Sequence, residues 1–239
     1  MPKSKYEDIF NDLQQRISRA EFKDKMLPTE AQLTEHYRAS RNTVRRAVAE
    51  LASLGFVKAI RGRGVVILDR TETVGDVELG IRDMHGSQSI SSIAPHDTKT
   101  RILTFTKVTV DADLARKTNL PQGEQAYYLQ RLRILDGHAW SLDHNWFLCN
   151  ALPGLTIEIA EQSIYRYLQD ELGKKVVGSR RTLAIRRATE HDREHLELDG
   201  ANCVGVIFST AFTDNGHIFE FTETRYSPEH FTFTEFIGL

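Results

Sequence analysis

Apolar residues recur at helical spacing between Ser40 and Leu54. At about 100° per residue, one stripe of a helix would carry the side chains of Val44, Ala47, Val48 and Leu51. Ser40 stands just before the run, where its hydroxyl can accept a hydrogen bond from a first-turn N–H, and Gly55 supplies a helix end. The pattern therefore predicts one amphipathic helix with a buried face and a polar face.

The polar face of this predicted helix is rich in arginine. It carries Asn42, Arg45, Arg46 and Ala49, with Arg41 at its border. The segment from Tyr37 to Val48 contains four arginines and no acidic residue. A solvated charged surface and a DNA-reading face are both compatible with this composition, so the flanking segments decide between them.

Two predicted elements flank the arginine-rich helix. Upstream, Thr29 and Gln32 have the spacing of a capping box, which predicts the start of a short helix. Downstream, 56–60 and 65–68 are β-prone runs joined by a turn with two arginines and two glycines, 61–64. Helix, helix and basic hairpin in this order predict a winged helix-turn-helix, a fold that places its second helix in the major groove of DNA.

Residues 26–68 resemble the DNA-binding domain of the GntR family of bacterial transcription repressors. The resemblance rests on Leu-Pro-Thr-Glu at 27–30, Ser-Arg-Asn-Thr-Val-Arg at 40–45 and the two glycines of the turn. It implies a homodimer on palindromic double-stranded operator DNA, with the following contact residues: Arg41, Asn42, Thr43, Arg45 and Gly64. The basic face and the turn add Arg46, Arg61 and Arg63 as expected DNA contacts. Ala31 stands where many relatives have a long donor side chain, so that helix is expected to contribute different contacts.

Charge and periodicity divide the chain into two parts. Residues 1–70 contain 14 Lys/Arg and 9 Asp/Glu, whereas residues 71–239 contain 17 and 24. A basic module suits a polyanion, and an acidic module is free to bind another partner. Residues 71–88 lack hydrophobic periodicity, which predicts a linker between a winged-helix domain at 1–70 and a larger domain at 89–239.

The larger domain alternates predicted strands with short predicted helices. Strands are predicted at 101–110, 126–135, 138–147, 176–187, 203–213 and 217–226. Helices are predicted at 111–119, 162–172 and 189–198, in addition to an N-terminal helix at 3–20. Hairpin connections such as Asp136-Gly137 outnumber crossovers. The expected fold class is therefore α+β, a winged helix-turn-helix followed by an α+β domain with a mainly antiparallel sheet.

One predicted strand carries an unusual face. The period of two places Leu129, Arg131, Arg133 and Leu135 on the same side. Burying two unpaired guanidinium groups would cost free energy, and a fully solvated face would leave both leucine side chains in water. Either the arginines line a pocket for a phosphate or carboxylate, which guanidinium groups bind bidentately, or they pair with internal acidic residues.

The second part of the chain resembles the effector-binding (UTRA-type) domain found in the HutC branch of the GntR family. The matching motifs are Arg-x-Arg-x-x-Asp-Gly at 131–137, Ser-x-Tyr at 163–165, and a strand with Glu220, Thr224 and Tyr226. The resemblance implies a sugar phosphate effector bound by Arg131, Arg133, Ser163, Tyr165, Glu220 and Tyr226. Within this branch the chain is similar to trehalose operon repressors of Gram-positive bacteria, which implies trehalose 6-phosphate.

Three further ligand contacts are expected from the same resemblance. Relatives often use an acidic residue where Asp143 stands, but a two-residue turn at Asp136-Gly137 would pair Asp143 with Gln130, on the face opposite the arginines, unless the strand contains a bulge. Ser89 and Thr100 are expected to belong to a segment that closes over the phosphate.

Composition bounds the remaining possibilities. Two cysteines outside any ligand spacing, with no apolar signal or membrane-spanning window, predict a reduced, cytoplasmic protein without a membrane partner. The nine histidines show no metal-binding or catalytic spacing, so neither a metal nor a cofactor is expected. The alternative function is a sugar-phosphate-processing enzyme with a DNA-binding appendage, in which Glu220 or a histidine would act as general base.

Overall fold

A computed structural model describes residues 5–69, 79–80, 98–234 and 237 of the chain. The chain divides into two compact units, Met1–Val74 with Thr234–Leu239, and Gly75–Phe233. The segment expected to be a linker, 71–88, lies outside the described residues except for Leu79–Gly80, which forms strand β3.

The N-terminal unit is a winged helix-turn-helix. Its elements are α1 (Lys5–Ser18), α2 (Glu30–Tyr37), α3 (Arg41–Ser53), β1 (Val57–Ile60) and β2 (Gly64–Ile67), with a 3-10 turn at Lys23–Lys25. The two strands form an antiparallel hairpin. The core contains Ile9, Leu13, Leu27, Leu33, Val44, Ala47, Leu51 and Val57. The apolar stripe of α3 therefore packs where its periodicity predicts.

Local side-chain caps start both helices of the helix-turn-helix. Thr29 and Gln32 form the predicted capping box, in which the Gln32 side chain accepts a hydrogen bond from the Thr29 N–H at 2.8 Å. The Ser40 hydroxyl accepts from the Thr43 N–H at 3.2 Å. Only three residues, 38–40, separate the two helices, and Arg38 adopts a left-handed conformation (φ 47°) that reverses the chain.

The second unit is built on a six-stranded sheet. Its strands are β4 (Thr98–Thr109), β5 (Gln125–Leu135), β6 (His138–Leu148), β7 (Val176–Arg187), β8 (Cys203–Thr213) and β9 (Ile218–Tyr226). They run in the order β4-β5-β6-β9-β8-β7, and every neighbouring pair is antiparallel. The predicted α+β class with a mainly antiparallel sheet is confirmed.

Short helices join these strands. They are α4 (Ala112–Thr118), α5 (Ile157–Glu161), α6 (Ile164–Arg166) and α7 (Glu190–His195), with a 3-10 turn at Pro228–His230. Strand β10 (Phe233–Thr234) pairs with β3. Within the described residues, no helix is long and apolar enough to cross a membrane.

The helix predicted at 162–172 is present from Ile164 to Glu171, as α6 followed directly by one π-helical turn at Tyr167–Glu171. The separate short helix α5 before it was not predicted. Gln162 has non-helical dihedral angles (φ −91°, ψ −104°), and Ser163 begins a new helix by accepting a hydrogen bond from the Arg166 N–H at 3.2 Å. A serine that can cap the next helix thus competes with continuation of the previous one.

Candidate functional site

The recognition helix α3 turns its basic face outward. The exposed members are Arg41, Asn42, Arg45 and Arg46. Thr43 is half-buried, and its hydroxyl lies 2.8 Å from the Ser40 hydroxyl. The expected contact residues of this helix are therefore brought together on one accessible surface, with Thr43 at its capped start.

Two of these arginines also contact other helices of the unit. Arg45 Nε donates to Glu30 Oε2 at 2.7 Å, although its side chain remains 66% exposed. The Arg46 guanidinium lies 3.6 Å from the centre of the Tyr6 ring, a cation–π contact. These contacts hold both side chains near the helix surface. To bind DNA, either arginine would exchange its protein partner for a DNA partner.

The wing presents two more basic side chains. Arg61 and Arg63 are exposed in the turn between β1 and β2. Gly62 and Gly64 have φ values of 78° and 102°, which other residues adopt only with strain. The two glycines therefore give the turn its tight shape, and the arginines between and beside them project from it.

Arg131 and Arg133 of β5 share one face of the six-stranded sheet with Asp143 of β6 and with alternate residues of β9, and this face is here called the pocket face. Strand register pairs Arg131 with Asp143 and Asp143 with Thr224. Arg133 pairs with Ser141, which in turn pairs with Tyr226. Because directly paired residues point to the same side of a sheet, the arginines of β5 lie on the same face as the polar stripe of β9.

A bulge in β6 brings Asp143 to the arginines. The pairing shifts between Arg133–Ser141 and Ile134–Ala139, which leaves Trp140 as the extra residue. Asp143 therefore faces Arg131, and its carboxylate lies 3.5 Å from the guanidinium. The pairing of Asp143 with Gln130 predicted from an uninterrupted hairpin is wrong, because one additional residue in a strand reverses the face of every residue beyond it.

A continuous chain of hydrogen bonds crosses three strands of the pocket face. Arg131 Nε donates to Asn145 Oδ1 at 2.8 Å, and Asn145 Nδ2 donates to the Thr222 hydroxyl at 2.8 Å. Thr222 donates to Glu220 Oε1 at 2.6 Å, and the Tyr165 hydroxyl donates to the other oxygen of that carboxylate. The network fixes the orientation of these side chains before any ligand binds.

The two buried arginines differ in their partners. Each is only 8% exposed. Arg131 has Asn145 and Asp143, whereas Arg133 has no hydrogen bond or ion pair with another residue of the described chain. Burial, and then the charge of Arg131, lower the pKa of Arg133 below its usual value. Internal pairing therefore accounts for one arginine and leaves the other available to an anion.

Burial also perturbs the acidic and phenolic groups of this face. It raises the pKa of Glu220, against the opposing effect of the hydrogen bonds from Thr222 and Tyr165. It likewise raises the pKa of Tyr165 and of Tyr226 above the usual range of tyrosine. Both phenols therefore stay protonated at neutral pH and can donate hydrogen bonds.

The remaining expected contacts lie at the border of the site. Thr100 of β4 pairs directly with Arg133, so the two side chains lie on the same face of the sheet. Ser163 is the N-cap of α6, two residues before Tyr165, and its hydroxyl already accepts from the backbone. Ser89 lies outside the described residues.

Two side chains of the pocket face were missed by the sequence analysis. Asn145 lies on the same side of β6 as Asp143, and only the bulge reveals that this is the pocket side. Arg181 of β7 pairs with Ser209, which pairs with Thr222, and its charge lowers the pKa of Tyr165 and Tyr226 against the dominant effect of burial. Alternation within β6 places Asn145 beside Asp143 but cannot assign that side to the pocket, and the position of Arg181 depends on the order of the strands.

Comparison with known proteins places both units in known families. Residues 5–67 match the bacterial regulatory proteins of the gntR family, and residues 94–232 match the UTRA domain. The HTH-type transcriptional regulator TreR of Bacillus subtilis (strain 168) is 29% identical over 237 residues, which cover 99% of this chain and 98% of TreR.

Solved structures agree with this assignment. The possible transcriptional regulator YydK of Bacillus subtilis subsp. subtilis str. 168 has the same fold, with a TM-score of 0.77 at 21% identity, over 98% of this chain and 100% of that one. The effector binding domain of the B. subtilis trehalose repressor (TreR) superposes with a TM-score of 0.53 at 28% identity, over 59% of this chain and 98% of that domain.

The similar proteins are named as transcriptional regulators and not as enzymes, so the alternative of a sugar-phosphate-processing enzyme is discarded. The two matched ranges cover most of the chain, one with the basic recognition helix and the other with the arginine-bearing sheet. The protein therefore belongs to the GntR family of bacterial transcriptional regulators and carries a UTRA effector-binding domain.

Proposed function

We propose that this regulator is a cytoplasmic homodimeric repressor that binds a palindromic operator and releases it when a sugar phosphate binds. Trehalose 6-phosphate is the specific effector we propose. In this account the winged-helix domain at 1–70 binds DNA, a linker at 71–88 follows, and the domain at 89–239 binds the effector. Two recognition helices, one from each protomer, would enter successive major grooves on one side of the duplex.

The observation that carries the proposal is the Arg133 guanidinium, which is 8% exposed and has no hydrogen bond or ion pair among the described residues. Burying a cation in this way costs free energy, which a bound anion would offset. Arg131 and Arg181 lie on the same face, so a phosphate beside Arg133 would meet a positively charged environment. Thr100, next to Arg133, would supply a hydroxyl donor. An anion of two negative charges matches this end of the site.

The other end of the site suits a sugar. Glu220, Thr222 and Asn145 form a fixed polar row. Tyr226 adds a phenolic donor, and Tyr165, whose hydroxyl donates to Glu220, adds ring surface. Sugar hydroxyl groups both donate and accept hydrogen bonds. A row of carboxylate, amide and hydroxyl groups offers the matching acceptors and donors. The similarity to TreR over almost the whole chain, together with the likeness to the effector binding domain of the B. subtilis trehalose repressor, supports trehalose as the sugar part of the proposed effector.

The edge strand β7 supports the proposed homodimer. It spans twelve residues at one edge of the sheet, and two of its apolar side chains, Val177 and Ile185, are 63% and 59% exposed. An edge strand that exposes apolar side chains can pair with another chain. A second copy of the chain, applied to this edge, would cover both side chains.

Isothermal titration calorimetry with the full-length protein tests the effector assignment. The titrants are trehalose 6-phosphate, unphosphorylated trehalose, glucose 6-phosphate and inorganic phosphate. We expect trehalose 6-phosphate to bind at least tenfold more tightly than each of the other three, because only it occupies both ends of the site.

Two outcomes would contradict parts of the proposal. Equal affinity for trehalose and its phosphate would exclude the arginines as the phosphate site. Tighter binding of glucose 6-phosphate would retain the phosphate site and change the sugar.

A further inference from the structure

A cluster of two histidines and a glutamate lies on α7, away from the proposed effector contacts. The ligand atoms of His191, Glu194 and His195 are all within 4.8 Å of one another. The histidines are half-buried and the glutamate is exposed. Residues four positions apart lie on one side of a helix, so both imidazole rings face the same space, with their centroids 4.3 Å apart.

The helix that carries this cluster is firmly attached to the sheet. Thr189 and Asp192 form a capping box at its start. Asp192 is fully buried and accepts two hydrogen bonds from Arg225 of β9, at 2.6 and 2.8 Å. The backbone positions of the three potential ligands are therefore fixed, and binding an ion would require only side-chain adjustment.

The imidazole nitrogens are arranged as metal ligands require. His195 Nδ1 donates to the His191 carbonyl oxygen at 3.0 Å, which leaves the lone pair of its Nε2 free. His191 Nε2 is shielded from solvent and has no hydrogen-bond partner within the described chain, and Nδ1 of the same ring is 3.8 Å from the Glu194 carboxylate. Nδ1 is therefore the His191 nitrogen placed to share an ion with the Glu194 carboxylate.

We propose that His191, Glu194 and His195 form a binding site for a divalent transition metal ion of the zinc class. Two imidazoles and one carboxylate suit Zn²⁺, Ni²⁺ or Cu²⁺, whereas Ca²⁺ and Mg²⁺ take oxygen ligands. Ligands around a tetrahedral zinc ion are about 3.3–3.5 Å apart. The three ligand atoms lie within 4.8 Å of one another, so their side chains must draw together by roughly one ångström when the ion binds.

The other groups around the cluster are compatible with a cation. His144 lies across from His191, with ring centroids 6.0 Å apart, and its Nδ1 is 2.9 Å from the Tyr128 hydroxyl. Burial lowers the pKa of His144, which disfavours its charged form. The neighbouring Arg225 is neutralised by Asp192 and Glu223.

Zinc competition with a chromophoric chelator tests the site. The protein is full-length, free of any histidine tag and stripped of metal before titration. Wild type is expected to bind one Zn²⁺ per chain. His195→Ala and Glu194→Gln should each weaken that binding at least about tenfold, because each removes a direct ligand. His217→Ala removes an exposed histidine in the turn between β8 and β9 and should bind zinc as wild type does.

The Glu194→Gln variant is the control for misfolding. Glu194 is exposed and has no role in attaching α7, so Glu194→Gln should unfold at the wild-type temperature in the absence of metal. Wild-type zinc affinity in both Glu194→Gln and His195→Ala would overturn the proposal. So would the absence of a stoichiometric site in wild type at micromolar Zn²⁺. A loss confined to His217→Ala would assign zinc to that exposed histidine instead.

Discussion

Replacing Arg133 by alanine should separate stability from effector binding. Wild type keeps this guanidinium buried without a partner among the described residues, an arrangement that costs about 1–3 kcal/mol. Alanine removes that cost and also removes two buried methylene groups worth roughly 1.6 kcal/mol. The two changes nearly cancel, so we expect the free energy of unfolding to stay within about 1–2 kcal/mol of wild type.

Arg225→Ala provides the structural contrast. Arg225 is equally buried, but it binds the fully buried Asp192 through two hydrogen bonds. Removing one partner of a buried ion pair leaves an uncompensated charge and should lower the free energy of unfolding by about 3–5 kcal/mol. Two buried arginines of the same sheet should therefore differ clearly in their effect on stability.

Urea unfolding followed by tryptophan fluorescence measures this difference. Both tryptophans of the chain, Trp140 and Trp146, lie in β6, so the signal reports the sheet-bearing unit alone. For ligand binding, Arg133→Ala should weaken trehalose 6-phosphate by at least ~1.5–3 kcal/mol, roughly ten- to hundredfold. Arg101→Ala, an exposed arginine on the neighbouring strand β4, should bind as wild type does.

The reasoning fails if Arg133→Ala behaves like Arg225→Ala. A loss of several kcal/mol of stability together with unchanged effector affinity would mean that Arg133 is a structural partner of an internal group. Unchanged stability with unchanged affinity would mean that the phosphate binds elsewhere.

Three further predictions concern DNA binding, acid stability and packing. Arg45→Ala should lose ~1–3 kcal/mol of specific operator affinity. Arg63→Ala should weaken binding to all DNA sequences alike and reduce the slope of log affinity against log salt concentration by about one unit. Both effects are measured by fluorescence anisotropy at several salt concentrations. Burial alone would raise the pKa of Asp192, but hydrogen bonds from Arg225 and Thr189 outweigh it and lower that pKa. A carboxyl group with a lowered folded-state pKa stabilises the fold above its unfolded pKa, so stability should fall as the pH drops below about 4, and urea midpoints of Asp192→Asn should depend less on pH there. Gly205→Ala should reduce stability by roughly 1–3 kcal/mol, because its methyl group would occupy the position of the Phe231 ring; unchanged denaturation would contradict that packing.

Periodicity and turn residues predicted most of the elements. The limits of β7 and β8 are those predicted, and the hairpin turns at Asp136-Gly137 and at 214–216 lie between the expected strands. These features depend on local sequence: alternation defines a strand, and residues with positive φ define the turn.

The effector site was less predictable because it depends on long-range pairing. The bulge at Trp140 has no local signature in the sequence, yet it decides which face Asp143 occupies. The order β6-β9-β8-β7 brings Arg181 onto the face of Arg131, although fifty positions separate them in the sequence. The histidine cluster of α7 also escaped notice, although both histidines lie four positions apart within the helix predicted at 189–198.

Operator release by the effector tests the central claim most directly. A specific DNA duplex is first selected from a random pool by the wild-type protein, and its binding is followed by fluorescence anisotropy while trehalose 6-phosphate is added. The account predicts that saturating effector weakens wild-type operator binding at least about tenfold, a coupling of roughly 1.4 kcal/mol. It also predicts that Arg133→Ala binds the same duplex with wild-type affinity and does not release it at effector concentrations that release wild type. The account is contradicted if the effector saturates the pocket, as followed by calorimetry, and the operator affinity of wild type does not change.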